Sequence, residues 1–138
     1  MTALTASYDA RRKDGALIAY PVAGARQVHK GGLTAVASAT GLAQPAGDVA
    51  GIVFIGVAYE GADNGTGAAG AKTVRVLKTG VFTYAKTGAS AGDVGKTAFV
   101  VDDATVATAP TADSIPCGVV VGVPDALSVQ VRIDAAVR

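Results

Sequence analysis

The chain has 138 residues, half of them apolar and 17% charged, with a formal net charge of +1 at pH 7. That composition is too apolar for a disordered chain, and the near-zero net charge supplies no global field for nucleic acid. One His (His29), one Cys (Cys117), one Glu (Glu60) and no Trp exclude an intrachain disulfide framework and a His/Cys structural zinc site, and they leave few residues for catalysis.

Residues 1–14 lack an apolar period and end in the charged cluster Asp9-Ala10-Arg11-Arg12-Lys13-Asp14. They read as an extended N-terminal arm that orders on contact with a partner. Residues 1–13 contain no apolar core after a basic start, so no signal peptide is expected. From Gly15 the texture changes, and residues 15–138 read as a single β domain.

Nine short segments follow: 16–22, 33–38, 51–59, 73–78, 81–86, 97–101, 105–109, 117–123 and 128–133. They are rich in Val, Ile, Thr, Tyr and Phe, residues that suit a pleated, half-buried surface. Val129, Val131 and Ile133 alternate with Ser128, Gln130 and Arg132, which places one face inward and one outward. The runs 52–57 and 119–123 are continuous in apolar residues and predict strands covered on both faces. Residues 61–71 hold four glycines and an Asp-Asn-Gly turn signal and read as a loop. No window predicts a long amphipathic helix, and the longest apolar stretch, 49–59, is too short to span a bilayer as a helix. The fold class is all-β: a compact β-barrel or β-sandwich of about nine short strands.

The alanines (29), valines (20) and glycines (18) are dispersed without the three-residue period of collagen. A tetrapeptide repeats: Ala46-Gly47-Asp48-Val49 returns as Ala91-Gly92-Asp93-Val94, with Phe54 and Phe99 at the same offset. Each Gly-Asp predicts a turn leading into a buried strand. Charge is uneven along the chain. Residues 1–40 carry five basic against two acidic residues, and residues 101–138 carry two basic against five acidic.

Chemical motifs are sparse. Residues 90–97 (Ser-Ala-Gly-Asp-Val-Gly-Lys-Thr) approach a phosphate-binding loop, but Ser stands where its first Gly belongs, and the residues that follow predict a strand where the loop needs a helix N-terminus. Asp102-Asp103 offers too few oxygens for a hard-cation site and reads as a turn. Cys117 and His29 are the sole nucleophile–base combination with a thiol, and Cys117 sits in an apolar strand context. Ser128 lacks the Gly-x-Ser-x-Gly setting of a hydrolase nucleophile. No enzyme activity and no cofactor is expected. Arg11, Arg12 and Lys13, with Tyr8 nearby, are the candidate contact residues. Three cations flanked by Asp9 and Asp14 make a weak nucleic-acid signal and suit a protein-binding arm better.

The order of short motifs carries a resemblance. Asp9-Ala10-Arg11-Arg12-Lys13-Asp14-Gly15 precedes Tyr20-Pro21-Val22, then Lys30-Gly31-Gly32-Leu33, Gly41-Leu42-Ala43 and Phe54-Ile55-Gly56-Val57-Ala58. Val74-Arg75-Val76, Thr79-Gly80-Val81-Phe82, Gly92-Asp93-Val94-Gly95, Val101-Asp102-Asp103, Gly118-Val119-Val120 and Val129-Gln130-Val131-Arg132-Ile133 complete it. In this order the chain resembles the capsid cement, or head decoration, proteins of tailed bacteriophages. The resemblance implies a β-rich protein on the outer surface of the virion head, made in the host cytoplasm, with the phage major capsid protein as partner and self-association as a homotrimer. It implies no nucleic acid, membrane or catalytic residue. The alternative is another phage structural or glycan-binding β module, such as a fibre or baseplate component. Glycan binding usually recruits aromatic platforms, of which this chain has few.

Overall fold

The computed structural model of the protein describes residues 5–7 and 11–135. Alternating small branched and polar residues produce twelve strands and, among the described residues, one turn of 3-10 helix at Ala91–Asp93. In chain order the strands are β1 (Leu17–Pro21), β2 (Arg26–Val28), β3 (Leu33–Ala37), β4 (Ala43–Pro45), β5 (Ile52–Ala58), β6 (Ala62–Asn64), β7 (Thr73–Leu77), β8 (Thr79–Ala85), β9 (Thr97–Val100), β10 (Val106–Ala107), β11 (Pro116–Asp125) and β12 (Ser128–Asp134). All nine expected segments form strands. The additional strands β2, β4 and β6 are three residues each and too short to show a period. β6 corrects the loop expected over 61–71: its pairing with β2 is decided by tertiary contact, not by local propensity.

The strands form three antiparallel sheets, with orders β1-β7-β5-β3-β4, β10-β9-β11-β12-β8 and β2-β6. No sheet closes on itself, so of the two expected architectures the sandwich describes the protein. Leu33, Ala35, Phe54 and Val57 of the first sheet pack with Tyr84, Ala98, Val100, Cys117, Val120, Val129, Val131 and Ile133 of the second. A second core lies on the other side of the first sheet, where Ile55, Ala58, Val74 and Val76 meet Val28 and Ala62 of the small sheet. The first sheet is thus buried on both faces, and the second on one.

A bulge makes β5 serve both cores. Thr34 pairs with Gly56 while Ala35 pairs with Phe54, which leaves Ile55 as the extra residue. The bulge inverts the side-chain alternation, so Phe54 and Val57 share one core and Ile55 and Ala58 the other. The expectation of burial on both faces holds for this run. It does not hold for 119–123: Val120 is buried, but Val119 and Val121 are 42% and 47% exposed. Burial alternates over Val119–Val121, between register shifts of β11 at Pro116/Gly118 and Val120/Gly122, and the outward positions are also valines. No third layer covers that face among the described residues.

Candidate interaction surfaces

Arg11, Arg12 and Lys13 are exposed and belong to no strand or helix. Tyr8, the fourth expected contact residue, lies outside the described residues. The basic segment is tethered at its downstream end. Asp14 Oδ1 accepts the Ala16 amide at 3.1 Å, the Ala16 carbonyl accepts the Lys78 amide at 2.9 Å, and the Lys78 carbonyl accepts the Ala135 amide at 2.8 Å. The segment Arg11–Lys13 is therefore rooted at the corner where β7 passes into β8, beside the end of β12.

Next to that corner an apolar groove of about 700 Å³ opens between the two large sheets. Ile52 and Phe54 of β5 form one wall and Ile115 and Cys117 the other, and Val119, Arg132 and Asp134 stand at the rim. A smaller, more polar recess of about 440 Å³ lies beside β8, lined by His29, Lys30, Gly31, Gly32, Tyr84 and Asp103 among others. Tyr84 anchors it by donating its hydroxyl proton to the Gly31 carbonyl at 2.9 Å, and burial raises the Tyr84 pKa.

Cys117 and His29 are not brought together. Cys117 lines the apolar groove, directs its thiol at the Ala98 carbonyl 3.4 Å away and has its pKa pushed up to about 12 by burial. His29 is exposed beside the other recess. In the phosphate-loop look-alike the chain runs from the short turn at Ala91–Asp93 into β9 with no helix N-terminus to face an anion. The loop already holds an anion of its own. The Asp93 carboxylate accepts the Ser90 amide at 2.9 Å and the Thr108 hydroxyl at 3.0 Å, and pairs with Lys86 at 3.2 Å and Lys96 at 3.4 Å. The Ser90 amide, followed by the Thr108, Lys86 and Lys96 donors, holds the Asp93 pKa well below the usual carboxylate range despite its burial.

The repeated Gly-Asp has a common role. Asp48 accepts the Asp113 amide at 2.9 Å, the Thr111 hydroxyl at 3.0 Å and the Ala112 amide at 3.1 Å, and the Asp113 amide leads in lowering its pKa. Asp48 and Asp93 thus clip the same connection, residues 108–113 between β10 and β11, from two sides. The sequence gives the turns; the long-range partners of the carboxylates lie too far along the chain to be read from it. Asp102 closes its own turn by accepting the Ala104 amide at 2.8 Å. Among the described residues no group of three His, Cys, Asp or Glu side chains is placed to hold a metal.

The feature that sequence reasoning missed is the outer face of the second sheet. Val119 pairs with Arg132, and Arg132 with Val81, so two exposed valines flank an arginine in one row across β11, β12 and β8. Val121 adds to the same face. The outward Gln130 and Arg132 of β12 are the sequence signal that fixes this face as the outer one.

These features define an all-β sandwich protein whose exposed chemistry lies in the basic segment Arg11–Lys13, an apolar groove and an apolar sheet face. No family model matches the chain, and neither a curated protein nor a solved structure matches it.

Proposed function

We propose that this chain is a structural head-decoration, or cement, protein that binds the outer surface of a mature tailed-phage capsid. The observation that carries the reading is the exposed basic segment Arg11–Lys13, rooted at the β7–β8 corner beside the apolar groove, on a sandwich whose buried polar groups serve to hold loops. The ordered motif resemblance supports it independently. In this reading the arm reaches across a seam between subunits of the major capsid protein, with Arg11, Arg12 and Lys13 meeting acidic capsid surface. The copies associate as homotrimers, and modest contacts per copy add up through the many sites of the shell. Neither catalysis nor a cofactor has a part in it.

The glycan-binding alternative draws less support from the surface. Tyr59 is the only large aromatic side chain that stands widely exposed among the described residues, and the Arg75 guanidinium covers its ring at 5.0 Å while bonding Glu60 at 2.7 Å. The test is co-sedimentation of the purified protein with expanded heads, followed by heat or chaotrope challenge. Saturable binding and a raised disruption temperature are expected. Heads that sediment without the protein would overturn the reading.

A further inference from the structure

Among the described residues the longest open sheet edge is β8. Two flanking hydrogen bonds fix which of its groups are free. The Lys86 amide donates to the Leu127 carbonyl and the Ala135 amide to the Lys78 carbonyl, so the even-numbered residues from 78 to 86 bond toward β12. Antiparallel ladders alternate, so Thr79, Val81, Thr83 and Ala85 direct their N–H and C=O groups away from it. Ala85 is already used: its amide donates to the Ala104 carbonyl at 3.2 Å. Among the described residues nothing pairs with Thr79, Val81 or Thr83.

Natural edges are normally blunted by Lys, Pro, a bulge or short length. β1, the corresponding edge of the first sheet, has such a guard. The Val22 amide donates to the Lys72 carbonyl, which sets the even residues toward β7 and leaves Pro21, with no amide proton, facing outward. β8 is covered only at its end, where Thr105 bridges Ala85, and is otherwise open among the described residues: it is seven residues long, pairs with β12 without a register break, and contains no charge and no proline. The lysines at its two ends are engaged, Lys78 with the Tyr20 hydroxyl at 2.9 Å and Lys86 with Asp93.

We propose that β8 is a pairing edge for the β8 strand of a second copy of this chain, antiparallel about a twofold axis through Val81. The free positions are self-complementary. With Val81 opposite the partner's Val81, Thr79 falls opposite the partner's Thr83, and the outward N–H and C=O groups of these three positions meet their complements. No charged side chain of β8 opposes its own copy, and the two exposed Val81 side chains come together on the outer face, next to the rows that carry Val119 and Arg132. The contact is isologous and joins copies in pairs. It is separate from the threefold association proposed above and stands whether or not the chain binds capsids.

Cysteine cross-linking of the isolated full chain tests it. Val81 is 52% exposed, and the native Cys117 is buried, so it does not compete for disulfide formation. Under mild oxidation Val81→Cys is expected to form a covalent dimer at least tenfold faster than Thr83→Cys, whose twofold mate is Thr79. V81K, which sets two ammonium groups opposite each other, is expected to abolish dimers in sedimentation. Equal cross-linking rates, or none, overturn the proposal. Backbone amide exchange on the unaltered protein gives an independent reading. Protection of the Val81 and Thr83 amides that rises with protein concentration supports the pairing, and exchange independent of concentration overturns it.

Discussion

Gly56 is where the two cores are joined, and substituting it tests the bulge argument most sharply. Its φ is +137°, a conformation that L residues rarely adopt. A β-carbon built there lies 2.2 Å from the Leu77 carbonyl oxygen and 2.8 Å from Val76 Cγ1. The clash falls where β5 and β7 are held by two register pairs, Val57 with Leu77 and Ala58 with Val76. Gly56→Ala therefore combines backbone strain of about 1–3 kcal/mol with an overpacking cost of about 1–3 kcal/mol. Together that is about 2–6 kcal/mol against a typical total of roughly 5–15 kcal/mol. Two controls separate the contributions. Gly118→Ala has the steric clash, 2.2 Å to the Arg132 carbonyl, without a positive φ. Gly88→Ala has φ +66° with open space around it. Urea unfolding should rank G56A as the most destabilised, G118A next and G88A least, with m-values unchanged. A G56A variant no less stable than G88A would refute the claim that β5 passes this close to β7.

Four further outcomes are expected. Asp93 has a folded-state pKa below its unfolded value, so its stabilisation is present above about pH 4 and is lost as the pH falls through the lower folded value; D93N should lower the urea midpoint at pH 7 and flatten its fall between pH 5 and pH 2. Cys117, with its thiol pushed up to about 12, should resist thiol reagents at pH 8 until the chain opens, so labelling of the native protein should run at least about a thousandfold slower than in urea. The same shift means that stability declines as the pH rises from the unfolded thiol value, about 8.5, toward 12, which the midpoint at alkaline pH reads. Replacing Arg11, Arg12 and Lys13 together by Ala should weaken head binding and reduce its salt dependence while leaving the urea midpoint unchanged, because all three side chains are exposed.

The strands that alternate were legible from sequence because their periodicity is local. β12 shows it best: Val129, Val131 and Ile133 are fully buried and Gln130 and Arg132 are exposed. β5 was legible as a strand buried on both faces, but not as a bulged one, since the extra residue at Ile55 is defined by its neighbour β3. β11 misled because apolar side chains occupy both faces, and Val119 and Val121 are exposed because no described residue packs over the outer face of the second sheet. The short strands β2, β4 and β6 owe their pairing to neighbours far along the chain. Of the candidate contact residues, Arg11–Lys13 were singled out by charge alone, and the structure shows them exposed. The groove that opens near them was invisible, because its walls come from β5 and β11, more than fifty residues apart.

The capsid reading stands or falls on location. A reconstruction of mature heads with and without the purified protein is the most direct measurement. Added density is expected on the outer surface at local threefold positions, into which the sandwich of residues 15–135 fits, with the N-terminal segment running toward a neighbouring capsid subunit. Heads that show no added density at saturating protein, or density confined to a tail, fibre or baseplate, would contradict it.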